Sequence, residues 1–176
     1  MNMDLKRYNL FGWDYELINP LTPQEIDWYV RFAGKTGGPL LGLACGTARL
    51  LVALAWASFE ADGIDLSTSM LEVAKKHISL LPSQICCRIR LHHMDMSSFA
   101  LDQKIGLIFI ADNSFRELKT REQQLSCLRC VRHHLHPDGK FLMTERRFDP
   151  QRFRSGQRDM AWSSPIPLRV LLCSEK

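Results

Sequence analysis

The sequence has no hydrophobic run near the roughly 20 residues that a membrane-spanning helix requires, so we expect no bilayer crossing. Its first residues, MNMDLKRYNLFGW, lack the uninterrupted apolar stretch of a secretory signal. Internal repeats and low-complexity segments are also missing, which excludes a repeat architecture. The sequence therefore predicts a globular protein of the cytoplasm.

Complete metal-binding and disulfide signatures are lacking as well, although the chain contains six cysteines. Cys127 and Cys130 form a CxxC pair, but no second pair or suitably spaced histidine follows to complete a zinc site. The cysteines lie in a turn, a helical pattern and an apolar run, where packing explains them better than disulfide bonds. We therefore expect no metal site.

A strong charge of either sign is missing too, since the formal net charge is +4. This value neither requires nor excludes a nucleic-acid partner. One arginine-rich stretch, ERRFDPQRFRSGQR at 145–158, is more typical of a solvated loop than of a phosphate-binding patch. Nucleic acid is therefore not the expected partner.

What the sequence does contain is a regular alternation of strand and helix patterns. Its 176 residues suffice for one domain with a buried core, but not comfortably for two. The first predicted helix begins near Thr22, a typical N-cap residue, with Pro23 at the first helical position. A later helix begins from Ser67, with Glu72 placed to strengthen its first turn and Pro82 marking its end.

The strand patterns decide the expected fold class. Strands that alternate with helices imply right-handed crossovers. We therefore expect an α/β fold, a doubly wound, Rossmann-like, mostly parallel sheet with helices on both faces. Two further helices are predicted at 48–57 and from Thr120 to His136, the second stopped by HPDG. The five strands are predicted at 39–43, 59–65, 88–95, 106–112 and 140–145.

A sixth apolar run, LRVLLC near the end of the sequence, predicts one more strand at the edge of the sheet. An uncovered edge strand can pair with a second chain. A homodimer through this edge is one interpretation, and the oligomeric state is otherwise open.

The stretch GPLLGLACGTARLLVALA, residues 38–55, joins the first strand to a helix through a turn of small residues. Ligands of doubly wound sheets bind at the carboxyl ends of the strands. Gly46 lets the backbone approach a ligand, and Ala44 and Ala48 keep the loop from filling that space. Helix amides from Ala48 onward suit a carboxylate or a phosphate.

Asp65 lies about 20 residues past this turn, at the end of the second predicted strand, where an acidic side chain accepts hydrogen bonds from ribose hydroxyls. The alternative interpretation is that Asp65 caps the following helix. Ser67 is better placed for capping, so the ribose interpretation is favoured.

Five segments, LLGLACGTAR, GIDLSTSML, MDM, IADNSF and HLHPDGKFLM, follow one another in an order and spacing that resembles class I S-adenosylmethionine-dependent methyltransferases over roughly residues 8–150. The resemblance implies an enzyme that transfers a methyl group from S-adenosylmethionine to an undetermined small-molecule acceptor. It also implies one methyltransferase-like domain over 1–176. Its parts would be an N-terminal lid and helix at 1–35, a cofactor-binding core at 36–147 and a short tail at 148–176.

The resemblance also implies roles for individual residues. Asp65 would hold the ribose, and Asp95 would accept from the adenine amino group, although Asp95 could instead cap the turn that follows it. Asn113, with Ser114 and Phe115, would lie where cofactor meets substrate. The remaining residues implied at the cofactor are Ala44, Cys45, Gly46 and Thr47 at the methionyl part, Leu66, Met70 and Met96 at the adenine, and Tyr8, Trp13 and Tyr15 as an aromatic lead that closes over it or packs in the core.

The sequence departs from the family pattern at one position in the first predicted strand and one in the turn that follows it. Gly42 stands where relatives carry an acidic residue, and Ala48 replaces the usual last glycine. If position 48 needs a positive φ, alanine costs about 1 kcal/mol there. The expected sheet also lacks part of the family's C-terminal antiparallel hairpin.

These departures leave a second hypothesis open: a degenerate homologue that binds the cofactor weakly and acts as an interaction protein. No catalytic residue is assigned. His92 and His93 lie in a strand, where a histidine is more often structural.

Overall fold

The computed structural model of the chain describes residues 20–145 and 169–173. A six-stranded sheet with the strand order β3-β2-β1-β4-β5-β6 forms its centre. All neighbouring strands pair in parallel except β5 and β6, which pair antiparallel. The strands are β1 Leu40–Leu43, β2 Ala61–Asp65, β3 Ile89–His93, β4 Ile105–Ile110, β5 Leu135–Glu145 and β6 Arg169–Cys173.

The predicted fold class is confirmed by this sheet. Strand order runs outward from β1 to β3 on one side and then returns to β4 on the other side of β1, so the order reverses between β1 and β4. This reversal is the position where doubly wound sheets open a crevice for ligands. The predicted edge strand is also confirmed, since β6 pairs with β5 from Arg169 opposite Glu145 to Cys173 opposite Phe141.

Local capping signals set where the helices begin. The side chains of Thr22 and Thr120 each accept a hydrogen bond from the backbone amide three residues on. In turn, the side chains of Glu25 and Gln123 accept from the amides of Thr22 and Thr120, which completes a capping box at each helix. Ser67 accepts from the Met70 amide and caps the third helix as predicted. The helices are α1 Pro23–Thr36, α2 Arg49–Trp56, α3 Thr68–Ser79, α4 Ser83–Cys86 and α5 Arg121–His134, with a 3-10 turn at Ser114–Glu117.

Side chains of successive strand residues point to opposite faces of the sheet, so each strand contributes to two hydrophobic clusters. Both faces are buried. Leu40 and Leu107 pack on one face with residues of α1 to α4. Leu41 and Ile108 pack on the other face with Cys127 and further residues of α5. Helices therefore cover both faces, as the doubly wound prediction requires. None of the helices in the described ranges has the length and hydropathy needed to cross a membrane.

Several predicted boundaries were wrong. Strand β3 ends at His93 and not at Asp95, because Asp95 bonds to the residues that follow it. Glu72 lies beyond the first turn of α3, so the strengthening expected from it is not present. Helix α3 also ends at Ser79, before Pro82.

HPDG was predicted to stop a helix before a strand begins, but it lies within the span of β5. Strand β5 starts at Leu135, directly after α5. Pairing with β4 shifts register between Ile105, opposite Leu135, and Leu107, opposite Lys140. HPDG is therefore the bulged part of the strand, where extra residues lie opposite fewer residues of the partner.

Candidate functional site

The turn after β1 is built from residues in the left-handed backbone region. Ala44, Gly46 and Ala48 have φ values of 52°, 57° and 63°. The positive φ considered for Ala48 is therefore confirmed. Ala48 is the N-cap of α2 and forms no side-chain capping bond. At Gly46, a Cβ would meet no atom within 4 Å, so space remains open in front of the turn.

Asp65 joins this turn to the end of β2. Its Oδ2 accepts a hydrogen bond from the Gly46 amide at 2.7 Å, and its Oδ1 accepts from the Ser67 amide at 2.8 Å. Burial raises the pKa of the Asp65 carboxyl, and the amide bonds from Ser67 and Gly46 offset part of that effect. Since the Ser67 hydroxyl caps α3, the carboxylate serves chiefly to hold the turn.

Asp95 lies just past the end of β3. Its Oδ1 accepts from both the amide and the hydroxyl of Ser97, each at 2.7 Å. The alternative interpretation, in which Asp95 caps the turn that follows it, therefore accounts for Oδ1. Within residues 20–144, no group donates to Oδ2.

The residues predicted at the adenine differ in exposure. Leu66 is 42% exposed, whereas Met70 and Met96 are 2% and 8% exposed. The two methionines are buried by the protein itself and offer a ligand little surface. Leu66 presents the larger apolar area, and its contact with an adenine ring stays a prediction.

The cleft at the reversal of strand order lies between the β1 turn and the end of β4. Its lining includes Ala44, Gly46, Arg49, Asp112 and Ser114. Arg49 Nη2 and Asp112 Oδ2 form an ion pair at 3.4 Å. Asp112 and Asn113 both have positive φ, 54° and 62°.

Arg49 and Asp112 were not singled out from the sequence. A signal was present, because Arg49 is the single charged residue of the helix RLLVALAW. It stands at the N-terminal end, where the helix dipole disfavours a cation. Asp112 gave no comparable signal, and Asn113 was selected only through the family resemblance.

The space beside Gly42 is occupied by Phe109 of β4, which lies opposite Gly42 in the strand register. A Cβ on Gly42 would come within 3.0 Å of Phe109 Cζ and 3.3 Å of Leu51 Cδ2. This part of the site is therefore apolar, and no carboxylate fits there without movement of the ring.

The thiol of Cys45 packs away from solvent. A Cβ on Gly63 would lie 2.8 Å from Cys45 Sγ, so the thiol covers that glycine. Burial, together with the Asp65 carboxylate, raises the pKa of Cys45 well above its usual range. Cys45 therefore stays protonated.

A separate polar cluster joins β2 and β3. The carboxylate of Asp62 is 1% exposed and accepts hydrogen bonds from Arg90, His92 and Gln103. Burial alone would raise the pKa of Asp62, but the bonds from Arg90 and His92 outweigh it and lower the pKa. His92 thus serves this cluster, and His93 bonds the carbonyl of Leu66.

Tyr8, Trp13 and Tyr15 lie outside the described residues, as does 146–158, which holds nearly all of the arginine-rich stretch. In the described part of the chain, no group of three His, Cys, Asp or Glu residues could hold a metal ion. The described cysteines whose side chains are placed are free thiols.

The sequence pattern that defines the family described as "Methyltransferase domain" matches residues 40–139. This range includes the β1 turn, Asp65, Asp95 and the cleft residues of β4. The chain therefore belongs to this family, whose members are class I S-adenosylmethionine-dependent methyltransferases. The predicted family is confirmed, and S-adenosylmethionine is the cofactor of that class.

Two curated proteins are similar to part of the chain. YqeM of Bacillus subtilis, named as a methyltransferase, is 32% identical over 105 residues, which are 60% of this chain and 41% of YqeM. The ubiquinone biosynthesis O-methyltransferase of Aromatoleum aromaticum is 30% identical over 92 residues, 50% of this chain and 38% of that protein. The chain thus spans about two fifths of the length of these relatives.

A solved structure shows the same fold. The glycopeptide N-methyltransferase MtfA has a TM-score of 0.67 and 32% identity, over 72% of this chain and 54% of that chain. Its complex with S-adenosyl-L-methionine has a TM-score of 0.65 and 34% identity, over 70% of this chain and 51% of that chain.

Proposed function

We propose that the chain binds S-adenosylmethionine at the carboxyl ends of β1 and β2 and transfers its methyl group to a small molecule. The observation that carries this proposal is the hydrogen bond from the Gly46 amide to Asp65. That bond holds an open turn at the reversal of strand order, where ligands of such sheets bind. Membership of the methyltransferase family supports the same cofactor.

Residues at or just beyond the carboxyl ends of β1, β2 and β3 suit the parts of this cofactor. The backbone of Ala44, Cys45 and Gly46 would face the methionyl part, since a Cβ at Gly46 would meet only open space. Each carboxylate oxygen of Asp65 accepts one amide and keeps another lone pair for a ribose hydroxyl. Oδ2 of Asp95 accepts no hydrogen bond from residues 20–144, which suits the adenine amino group as a donor.

When bound, the cofactor supplies an already activated methyl group on a sulfonium centre. The protein contributes position and the exclusion of water, which favour in-line attack by the acceptor. Asn113, Ser114 and Phe115 follow β4 beside the cleft, and we propose this segment as the acceptor side. We assign no general base, because only some acceptors require one.

A small-molecule acceptor is supported by relatives with different acceptors. One relative is named for ubiquinone biosynthesis and a solved neighbour for glycopeptide N-methylation. Because these relatives act on different acceptors, the proposal for this chain names a small molecule and no particular compound.

We propose that the protein acts in the cytoplasm. The free thiols of Cys86 and Cys127 among the described cysteines support this, because thiols persist in reducing compartments. Detection in a cytosolic fraction after cell fractionation would test it, and recovery in a secreted fraction would contradict it.

Thermal unfolding with added ligands tests the cofactor proposal. A ligand that binds only the folded state raises Tm, so S-adenosylmethionine and S-adenosylhomocysteine should each raise it. NADH, which also carries adenine and ribose, is the matched control and should leave Tm unchanged. A larger increase with NADH would overturn the proposal.

A second candidate function is a cofactor-binding interaction protein that transfers no methyl group. The ring of Phe109 beside Gly42 favours it, because the ring occupies the space that an acidic side chain at position 42 would need. Measurement of S-adenosylhomocysteine release across a panel of hydroxyl and amine acceptors separates the two. Turnover supports the methyltransferase, whereas cofactor binding without turnover supports the interaction protein.

A further inference from the structure

We propose that His134 is a positioning residue whose action depends on pH. Its neutral ring holds the β3–β4 loop, residues 94–104, against the end of α5, and protonation of the ring releases that loop. The loop carries Asp95. The consequence for the cofactor rests on the proposed function, since Asp95 is the residue proposed at the adenine.

The His134 ring forms two hydrogen bonds that fix which nitrogen carries the proton. His134 is the last residue of α5 and is 4% exposed. The amide of Leu101 donates to Nε2 at 2.9 Å, so Nε2 presents a lone pair. Nδ1 lies 2.7 Å from the carbonyl oxygen of Cys130, which can only accept, so Nδ1 carries the proton. The ring is therefore neutral, and both of its nitrogens are used.

A second proton on this ring requires the contact to break. The proton would be on Nε2, where its N–H would point at the N–H of Leu101, and two donors cannot bond each other. A charged ring in this buried position would also lack an acceptor for Nε2, which is unfavourable. Histidine in water takes up a proton near about pH 6.5. The bond to Leu101 should therefore be complete above about pH 7 and be lost as the pH falls below about 6.

Titratable and charged groups lie on the three elements around this contact. They are Cys127, Cys130 and His133 on α5, Asp95, Asp102 and Lys104 on the β3–β4 loop, and His136 and Asp138 on β5. Burial raises the pKa of both thiols, that of Cys127 to about 12, so they stay uncharged. The Lys104 ammonium donates to the His133 carbonyl and is a like charge at the adjacent residue. Within residues 20–144, no carboxylate pairs with the His134 ring.

The β3–β4 loop depends on α5 for its position, because the loop is neither helix nor strand. The Ser126 hydroxyl donates to the Ser97 carbonyl at 2.7 Å. Phe99 is buried on this face of the sheet, and its ring centroid lies 4.5 Å from that of His134. Helix α5 therefore holds the loop at Ser97 and, through His134, at Phe99 and Leu101.

Ser97 links these contacts to Asp95. Its amide and its hydroxyl both donate to Asp95 Oδ1, each at 2.7 Å. The orientation of this carboxylate thus depends on where α5 holds the loop. Loss of the Leu101 bond frees the part of the loop that follows Ser97, so Asp95 should be oriented less well and the cofactor should bind more weakly at mildly acidic pH.

The first experiment examines the unaltered chain without ligand by NMR. Protection of the Leu101 amide against hydrogen exchange, corrected for the intrinsic rate, should fall at least tenfold from pH 7.5 to pH 5, as the loss of a buried hydrogen bond implies. Long-range proton–nitrogen spectra at pH 7.5 should show the proton of the His134 ring on Nδ1. Constant protection, or a proton on Nε2, would overturn the inference.

Two variants assign this pH dependence to one ring. His134→Gln offers an oxygen to the Leu101 amide and does not titrate, so protection should be the same at both pH values. His133→Gln, at an exposed histidine of the same helix, is the matched control and should keep the fall. A fall that persists in His134→Gln would overturn the role of His134. Where this variant does not fold, the measurements on the unaltered chain still decide.

Titration calorimetry with S-adenosylhomocysteine joins the contact to the cofactor. The unaltered chain and His133→Gln should bind it about three- to tenfold more weakly at pH 5.5 than at pH 7.5, and His134→Gln should change less than about twofold. Equal affinities of the unaltered chain at both pH values, or an equal loss in His134→Gln, would overturn the positioning role. Absence of binding at both pH values would overturn the proposed function, and exchange of the Leu101 amide, measured without ligand, would still decide the His134 contact.

Discussion

At the scale of single residues, the turn after β1 combines backbone strain with dense packing. Ala44 and Ala48 share a left-handed conformation, but their methyl groups differ in surroundings. Ala48 is fully buried in the core beneath α2, whereas Ala44 is half-buried at the cleft. The same strain therefore has different net costs at the two positions.

Replacing each alanine by glycine should separate these costs. Ala44→Gly relieves about 1–2 kcal/mol of strain and loses little burial, so the free energy of unfolding should rise by about 0.5–1 kcal/mol. Ala48→Gly also loses a buried methyl group worth about 0.8 kcal/mol and should be nearly neutral. Urea unfolding measures both, and a gain at Ala48 that exceeds the gain at Ala44 would contradict this account.

Asp65 has a structural role besides the one proposed toward ribose. Asp65→Ala leaves the amides of Gly46 and Ser67 without their acceptor and should lower the free energy of unfolding by about 1–3 kcal/mol. Asp95→Ala, whose partner Ser97 is half-exposed, should cost less than about 1 kcal/mol. Both variants should bind S-adenosylhomocysteine more weakly. Unchanged affinity in both would place the cofactor elsewhere.

At the scale of strands and helices, register brings distant residues into contact. Strands β1 and β4 pair so that Gly42 lies opposite Phe109. Strands β2 and β3 pair so that Asp62 lies opposite Arg90, whose guanidinium bonds its carboxylate. One pair fills space and the other balances charge.

The Gly42 contact predicts a coupling between the two strands. Gly42→Glu alone should destabilise the fold by about 1–3 kcal/mol, because its Cβ and carboxylate meet the ring of Phe109. Phe109→Ala alone should cost about 3–5 kcal/mol through the cavity it leaves. The double variant should cost less than the two combined, measured by a double-mutant cycle in urea. Additive costs would show that the residues do not compete for space.

The Asp62 cluster predicts a dependence of stability on pH. Because the pKa of Asp62 is lower in the folded state, the unfolded chain takes up the proton first as the pH falls. The stabilisation that the ionised Asp62 carboxylate gives the folded state is therefore complete above about pH 5 and is lost as the pH falls below it. The free energy of unfolding, measured with a chemical denaturant between pH 3 and pH 6, should rise less steeply with pH for Asp62→Asn than for the unaltered chain. Asp27→Asn, an exposed control, should keep the original slope.

At the scale of the whole molecule, the sheet is covered by helices on both faces and a cleft lies where the strand order reverses. The two edge strands are β3 and β6 among the described strands. Pairing of two copies through an edge stays a prediction that sedimentation would test. The division of 1–176 into lid, core and tail also stays a prediction.

Much of this architecture could be predicted from the sequence because its signals are local. The caps at Thr22, Ser67 and Thr120 each bond to an amide three residues away, so sequence spacing alone reveals them. The apolar run of β4 predicts a strand buried on both faces. The turn after β1 and Asp65 were found because their spacing is itself the signal.

Only the tertiary structure decided which charges and which ring meet at the site. Arg49 and Asp112 are 63 residues apart, and Asp62 and Gln103 are 41 residues apart. These contacts depend on strand order and register, which sum many weak packing preferences over the whole sheet. The residue types at positions 42 and 109 were visible in the sequence. Their competition for one space exists only because β1 and β4 are neighbours, so it could be recognised only in the folded chain.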